Sequence, residues 1–160
     1  MEINNLSDTW NVRKLDREDI ELIYDLMKDN TIFYQYHPPF VTRESILEDM
    51  EALPPGKEYD DKYYIGFFQD NSLVAIMDLI LDYPTENIAF IGLFMMNTKY
   101  QNQGLGSKII RECMEALRKQ GYKKIKIGVD KKNPQSYSFW RKNGFTKTDE
   151  NEYIKMELIL

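Results

Sequence analysis

The junction MMNTKYQNQGLGSKII, Met95 to Ile110, constrains this chain more than any other stretch. An apolar run, Ile88 to Met96, enters it. A stretch with Ile109, Ile110, Cys113, Met114 and Leu117 at helical spacing leaves it. The entering run predicts a strand covered on both faces. Gly104 and Gly106 sit where the strand gives way to the helix. Glycine is costly inside regular structure and useful where backbone turns sharply or closely approaches another group. The first N–H groups of a helix lack internal partners, and the helix dipole adds positive charge there. Strand, glycine loop and helix therefore make a natural anion site. A tight turn that holds no ligand is the alternative.

The remaining segments build a mixed α/β sheet around that junction. Trp10 to Lys14 reads as a short strand, and Asp16 caps a helix carrying Ile20, Leu22, Ile23, Leu26 and Met27. TIFYQYHPPF, Thr31 to Phe40, reads as an aromatic loop closed by two prolines, and Thr42 starts a helix running to about Ala52. Lys62 to Phe68 and Leu73 to Leu81 flank the turn QDNS and predict a hairpin. Gly121 ends the helix that begins near Gly104. Lys123 to Val129 alternates as a strand does, Asn133 to Lys142 predicts a last helix ended by Gly144, and Phe145 to Thr148 with Tyr153 to Leu160 predicts a closing hairpin. The order is β-α-α-β-β-β-α-β-α-β-β. It gives one domain over residues 1–160: a mixed, mostly antiparallel sheet of about seven strands flanked by about four helices.

With 160 residues, 42% of them hydrophobic and 29% charged, the chain suits one globular core. A net charge of -5 speaks against nucleic acid as partner. The basic stretch Arg118 to Lys132 reads as a solvated rim or as a local patch. Cys113 is the only cysteine, which excludes an internal disulfide and fits a reducing cytoplasm. The N-terminus has no signal-peptide pattern, and no apolar run reaches membrane-spanning length. One histidine and one cysteine offer no metal-ligand spacing, so no metal is expected.

Three glycine-loop patterns compete at the junction. A Walker A loop requires an upstream glycine and Gly-Lys-Ser/Thr, whereas GLGSK places Ser107 before Lys108. A dinucleotide fingerprint requires a third glycine where Ile109 stands. The pattern Gln/Arg-x-x-Gly-x-Gly/Ala fits QNQGLG, Gln101 to Gly106, at every fixed position.

On this loop the chain resembles the GNAT superfamily of N-acetyltransferases, in which that pattern holds the pyrophosphate of coenzyme A. NPQSYSFWRKNGF, Asn133 to Phe145, resembles a later motif of the same family, and the element order from Trp10 onward is similar to its fold. The resemblance implies acetyl-coenzyme A as cosubstrate. It implies that the backbone of Phe94, Met95 and Met96 holds the pantetheine arm like an added strand. Gln101, Asn102, Gln103, Gly104, Leu105 and Gly106 would cradle the pyrophosphate, with Ser107 assisting. Asn133 would touch the pantetheine, and the last helix, with Trp140, would flank the thioester.

The implied reaction is direct attack of an amine on the thioester, without a covalent enzyme intermediate. Many members protonate the leaving sulfur with a tyrosine. That position is Trp140 here, and indole has no proton to give at neutral pH. Tyr137, three residues earlier and near one helical face with it, reads as a substitute acid or as an ordinary packed or exposed tyrosine, and water is another candidate. A simple thiol ionises at a pKa of roughly 8.5 and leaves fairly well unaided. Some relatives carry a glutamate on the central strand about where Phe90 falls, and this chain has no carboxylate at that point. Asp78, alone in the apolar run LVAIMDLIL, reads as a group that binds or deprotonates the amine, or as a satisfied structural aspartate. Tyr34, Tyr36 and His37 lie in the aromatic loop where relatives shape the acceptor pocket.

The leading expectation is an N-acetyltransferase acting on a small-molecule or peptide amine. A non-catalytic acyl-coenzyme A sensor is the second reading, and Trp140 is its support. A purely structural domain, binding no coenzyme A, is the third. The C-terminal YIKMELIL closes the sheet within one chain or pairs in a homodimer.

Overall fold

The structure is a computed structural model and describes residues 1–160. Its seven strands are β1 (Asn11–Lys14), β2 (Lys62–Gln69), β3 (Ser72–Leu81), β4 (Ile88–Met96), β5 (Lys124–Asp130), β6 (Thr146–Glu150) and β7 (Tyr153–Ile159). They form one sheet in the order β1-β2-β3-β4-β5-β7-β6. Every pairing is antiparallel except β4 with β5. β7 lies between β5 and β6 of its own chain, so the C-terminal segment closes the sheet internally.

Five α-helices cover the sheet: α1 (Ile20–Met27), α2 (Thr31–Tyr36), α3 (Arg43–Glu51), α4 (Leu105–Lys119) and α5 (Pro134–Lys142). The helix beyond the expected four is α2, within the segment read from sequence as a loop. Six aromatic-rich residues ahead of two prolines carry no helical periodicity, and a helix so short is held by tertiary contacts. The caps agree with their sequence signals. Asp16 accepts from Glu18 N ahead of α1, and Thr42 and Ser45 cap reciprocally at α3. Leu22, counted with the apolar stripe of α1, is exposed instead.

The core divides into two clusters, one on each face. The larger joins Phe67, Met77 and Ile127 to Ile109, Ile110, Cys113 and Leu117 of α4 and to Trp140 of α5. The smaller joins Ile76, Tyr64 and Met95 to Ile23, Leu26 and Met27 of α1 and to Ile46 of α3. Cys113 is 1% exposed, and burial pushes its thiol up, so it is an inert core group.

β4 is not covered on both faces along its whole length. Its pairing with β5 ends at Ile91–Ile127, although both strands continue. Beyond that point Gly92 is exposed and Leu93, Phe94 and Met96 are only half-buried. The two strands therefore part, and the apolar run lines a cleft.

Candidate active site

The parting of β4 from β5 leaves one side of β4 without a partner strand. Asn97 N donates to Val74 O. By the alternation of an antiparallel ladder, Met95 and Leu93 then bond to β3, while Phe94 and Met96 turn their N–H and C=O groups to the open side. Met96 O confirms the direction, since it accepts from Asn30 Nδ2 at 3.0 Å and Gln101 Nε2 at 3.2 Å. Of the three residues expected to offer backbone here, Phe94 turns both its N–H and C=O to the open side and Met96 its N–H, the Met96 carbonyl being taken by Asn30 and Gln101. Met95 spends its main chain on β3 and its side chain on the smaller core, because successive strand residues face opposite ways.

At the mouth of the split lies the glycine loop. The main-chain N–H groups of Asn102, Gln103, Gly104, Leu105, Gly106 and Ser107 donate to no acceptor in the protein, and Lys108 N is the first to bond back, to Gly104 O. These donors converge at the start of α4, a cradle for an anion. Asn102 and Gly104 both adopt positive φ, at 61° and 75°. Gly104 thus supplies the left-handed turn. Gly106 has a different reason: a Cβ there would stand 3.2 Å from Phe139 and 3.4 Å from Met96. The Gln101 side chain does not face the anion site. It donates to Asn30 Oδ1 at 2.8 Å and fixes the loop to the end of α1.

A cleft of about 450 Å³ runs from this loop along β4, lined by Phe94, Met95, Met96, Gln101, Asn102, Gly104, Leu105, Gly106, Ser107, Asn133 and Trp140. Gln103, expected in the same set, contributes its N–H but does not line the cleft; its side chain donates to Lys99 O. Asn133 is buried and caps α5 by accepting from Ser136 N. Ser107 Oγ accepts from Asn143 Nδ2 at 3.1 Å, tying α4 to α5. Phe139, stacked on Phe94 at 5.9 Å, and Trp140, edge-on to Phe94 at 6.0 Å, form the apolar wall. Tyr137 packs against the larger core and does not line the cleft, so three residues of helix did not bring it to the place of Trp140. A second hollow, between the N-terminal segment and α4, is lined by charged and polar groups with Ala116 as its one apolar residue, and it lies away from the split.

The other side of the split is polar. Asp78 projects from β3 toward α1 and α3. Its Oδ2 lies 3.5 Å from the place a Cβ of Gly92 would occupy, beside the point where β4 and β5 part. Gly92 is the bulged residue there, since Asp78 pairs with Leu93 and Leu79 with Ile91. Lys62 Nζ donates to Asp78 Oδ2 at 2.8 Å from a side chain only 3% exposed. Burial pushes the Asp78 carboxyl up, and Lys62 partly restores its ionisation. Asp49 on α3 opens to solvent in this concavity. Crowding by protein and the charge of Asp78 push its carboxyl up, while Lys62 and His37 pull it down. Tyr34 is half-buried, with its hydroxyl pushed up to about 12 by burial and by Asp49. His37 Nδ1 meets Asp130 Oδ1 at 2.9 Å, and Tyr36 stands half-buried on α2. Sequence reading missed Lys62, Tyr64 and Asp49. The alternation of KYYIGFF, which puts Lys62 and Tyr64 on one face, hinted at those two, and nothing local marked Asp49. No group of three or more His, Cys, Asp or Glu side chains is placed to hold a metal ion.

A sheet split beside an uncapped helix start, with an acidic group at the apex, is the architecture of a coenzyme A-dependent acyltransferase. The chain belongs to the acetyltransferase (GNAT) family, whose model matches residues 20–145. It is similar to a spermidine N(1)-acetyltransferase of Thermoplasma acidophilum, at 22% identity over 89% of this chain and 93% of that one. Among solved structures it resembles an acetyltransferase from Thermus thermophilus, with a TM-score of 0.82, 19% identity, and 95% and 97% of the two chains covered. It also resembles the PaiA N-acetyltransferase of Thermoplasma acidophilum in complex with coenzyme A. That match has a TM-score of 0.72 and 21% identity, and it covers 94% of this chain and 98% of that one.

Proposed function

We propose that this protein transfers the acetyl group of acetyl-coenzyme A to a primary amine of a small molecule or peptide, by direct attack in a ternary complex. The observation that carries the reading is the open edge of β4 leading away from the cluster of unpartnered N–H groups. The pyrophosphate takes the donors of Asn102 to Ser107, and the pantetheine arm pairs with Phe94 and Met96. From Met96 to Gly92 is four residues, about 14 Å at the rise of a strand. The thioester end of the arm thereby approaches Gly92 and Asp78.

Asp78 is the proton acceptor of this reading, and Tyr34, Tyr36 and His37 border the acceptor's entry. The similarity to a spermidine N(1)-acetyltransferase supports a cationic amine as acceptor. Attack needs a neutral nitrogen held in line with the carbonyl carbon, and on this reading both partners meet at the apex of the split. Trp140 bounds the thioester apolarly and donates no proton to sulfur, so the thiol leaves on its own acidity. Without a general acid the rate is expected to fall by about 10²- to 10⁴-fold relative to an acid-assisted site.

Isothermal titration with acetyl-coenzyme A, followed by an amine screen reading thiol release, tests the proposal. Micromolar binding with turnover of at least one amine is expected. Binding without turnover of any amine would favour an acyl-coenzyme A sensor, the reading that Trp140 in place of an acid supports. Absence of binding by the folded protein would refute both.

A further inference from the structure

Two buried side-chain atoms have no hydrogen-bond partner in the protein: Tyr64 Oη and Asp78 Oδ1. Tyr64 on β2 stands directly opposite Asp78 on β3, and such a pair holds its Cβ atoms about 4.5–5.5 Å apart. Buried polar atoms are rarely left unpaired, because each forfeits its hydration. Two such atoms on facing residues mark a place for a third polar group. The second oxygen of Asp78 is already taken by Lys62 Nζ at 2.8 Å, and the carboxylate lies beside Gly92 at the apex of the split.

We propose that Tyr64 and Asp78 form the subsite that receives the acceptor nitrogen, and that Lys62 is a positioning residue that grips Asp78 through Oδ2 and leaves Oδ1 to that nitrogen. This rests on the acetyl-transfer reading and deepens it. An alkylammonium donates one N–H to Asp78 Oδ1 and a second to Tyr64 Oη. One ammonium proton passes to Oδ1. The freed nitrogen lone pair forms the C–N bond to the thioester carbonyl carbon, and the C–S bond breaks with its electron pair leaving on sulfur. A second nitrogen proton neutralises the sulfur, giving amide and thiol, and Asp78 returns its proton to solvent.

The electrostatics of the cluster suit that sequence. Lys62 of β2 lies against Asp78, Asp49 of α3 adds a second carboxylate, and Tyr34 of α2 and His37 just past its end complete the surroundings. Two carboxylates against one lysine leave an excess negative charge that a single substrate ammonium balances. Burial makes Asp78 a stronger base than an exposed aspartate, and the Lys62 ammonium at 2.8 Å pulls its carboxyl part of the way back down.

The test is the pH profile of kcat/KM for Lys62→Met, Lys62→Arg and Tyr64→Phe, with the acetyl-coenzyme A affinity of each variant as the check on folding. Lys62→Met is expected to move the acidic limb up by about 1–3 pH units with unchanged cofactor affinity, and Lys62→Arg to keep the limb near its original position. Tyr64→Phe is expected to raise the amine KM about tenfold, the loss of one hydrogen bond to a charged group, without moving the limb. A folded Lys62→Met enzyme with the original limb overturns the role of Lys62. Should that variant fail to fold, an unchanged amine KM in Tyr64→Phe overturns the subsite. A wild type that binds acetyl-coenzyme A and acetylates no amine yields no profile at all. That result refutes the acetyl-transfer reading itself, and this proposal with it.

Discussion

His37 Nδ1 lies 2.9 Å from Asp130 Oδ1, joining the end of α2 to the end of β5. At the other end of α2, Asn30 Nδ2 donates to Met96 O at the end of β4. The short helix therefore bridges the two strands that part after Ile91 and Ile127, and it is fastened at both ends. Because His37 is well exposed, with 45% of its side chain accessible, the pair contributes at most about 1 kcal/mol to stability. Asp130→Ala is expected to shift Tm by no more than about 4 °C yet raise the acceptor KM severalfold as α2 loosens. Steady-state kinetics decide the matter, and an unaltered KM would show that the bridge does not shape the site.

Asn30 has more partners. It donates to Leu26 O and Met96 O and accepts from Gln101 Nε2. Asn30→Ala leaves Gln101 and Leu26 O short of a partner, at a cost of about 1–3 kcal/mol. Chemical denaturation should show this as a lower midpoint. Titration should show weaker acetyl-coenzyme A binding, because the glycine loop loses its anchor.

Gly104 and Gly106 are needed for different reasons, and substitutions separate them. Gly104→Ala forces a Cβ into a left-handed turn at φ 75° with open space around it, costing about 1–2 kcal/mol. Gly106→Val places methyl groups against Phe139 and Met96 and is expected to cost about 1–3 kcal/mol through overpacking. Asn102→Asp adds negative charge to the cradle at a residue type that tolerates left-handed backbone. It should weaken acetyl-coenzyme A binding about tenfold, the scale of one like charge a few ångströms from the pyrophosphate near a protein surface, while leaving the fold intact. Equal affinity in the Asn102→Asp protein would remove the anion from this loop.

Glu112 of α4 ties down the N-terminal segment, accepting from Ser7 Oγ, Asp8 N, Thr9 N and Thr9 Oγ1. Burial acts to raise its carboxyl, but the hydrogen bonds outweigh burial and hold it below its ordinary value. Its stabilising contribution is therefore complete above the unfolded pKa of about 4.3 and lost as pH falls through the lower folded value. Glu112→Gln is expected to be less stable than wild type at neutral pH and to lose the difference in acid. Denaturant midpoints across that pH range check it, and a gap persisting below the folded pKa would contradict the assignment.

Much of the structure around the glycine loop was legible because its signals are local. The caps of α1 and α3, the glycine turn at Gly104 and the start of α4 near QNQGLG all act within a few residues of the chain. Even there, sequence alone did not say that Gly106 answers to Phe139, or that Met95 turns its main chain to β3. Helix α2 escaped notice because its six residues gain stability only from what they bridge.

The charge cluster at the split was decided by tertiary structure. The turn after β2 pairs Gln69 with Ser72 and Phe68 with Leu73, but the register shifts beyond, so that Phe67 faces Ala75 and Tyr64 faces Asp78. A shift of one residue turns every following side chain to the opposite face of a sheet. Without the bulge Asp78 would point toward α4. With it, Asp78 joins Lys62 and Tyr64 beneath α3. The sequence by itself determined the order of elements and a loop able to hold an anion, since these depend on neighbours in the chain. The bulge, the opening of β4 and the charge cluster at its apex depend on strands and helices far apart in sequence, and only the folded sheet brings them together.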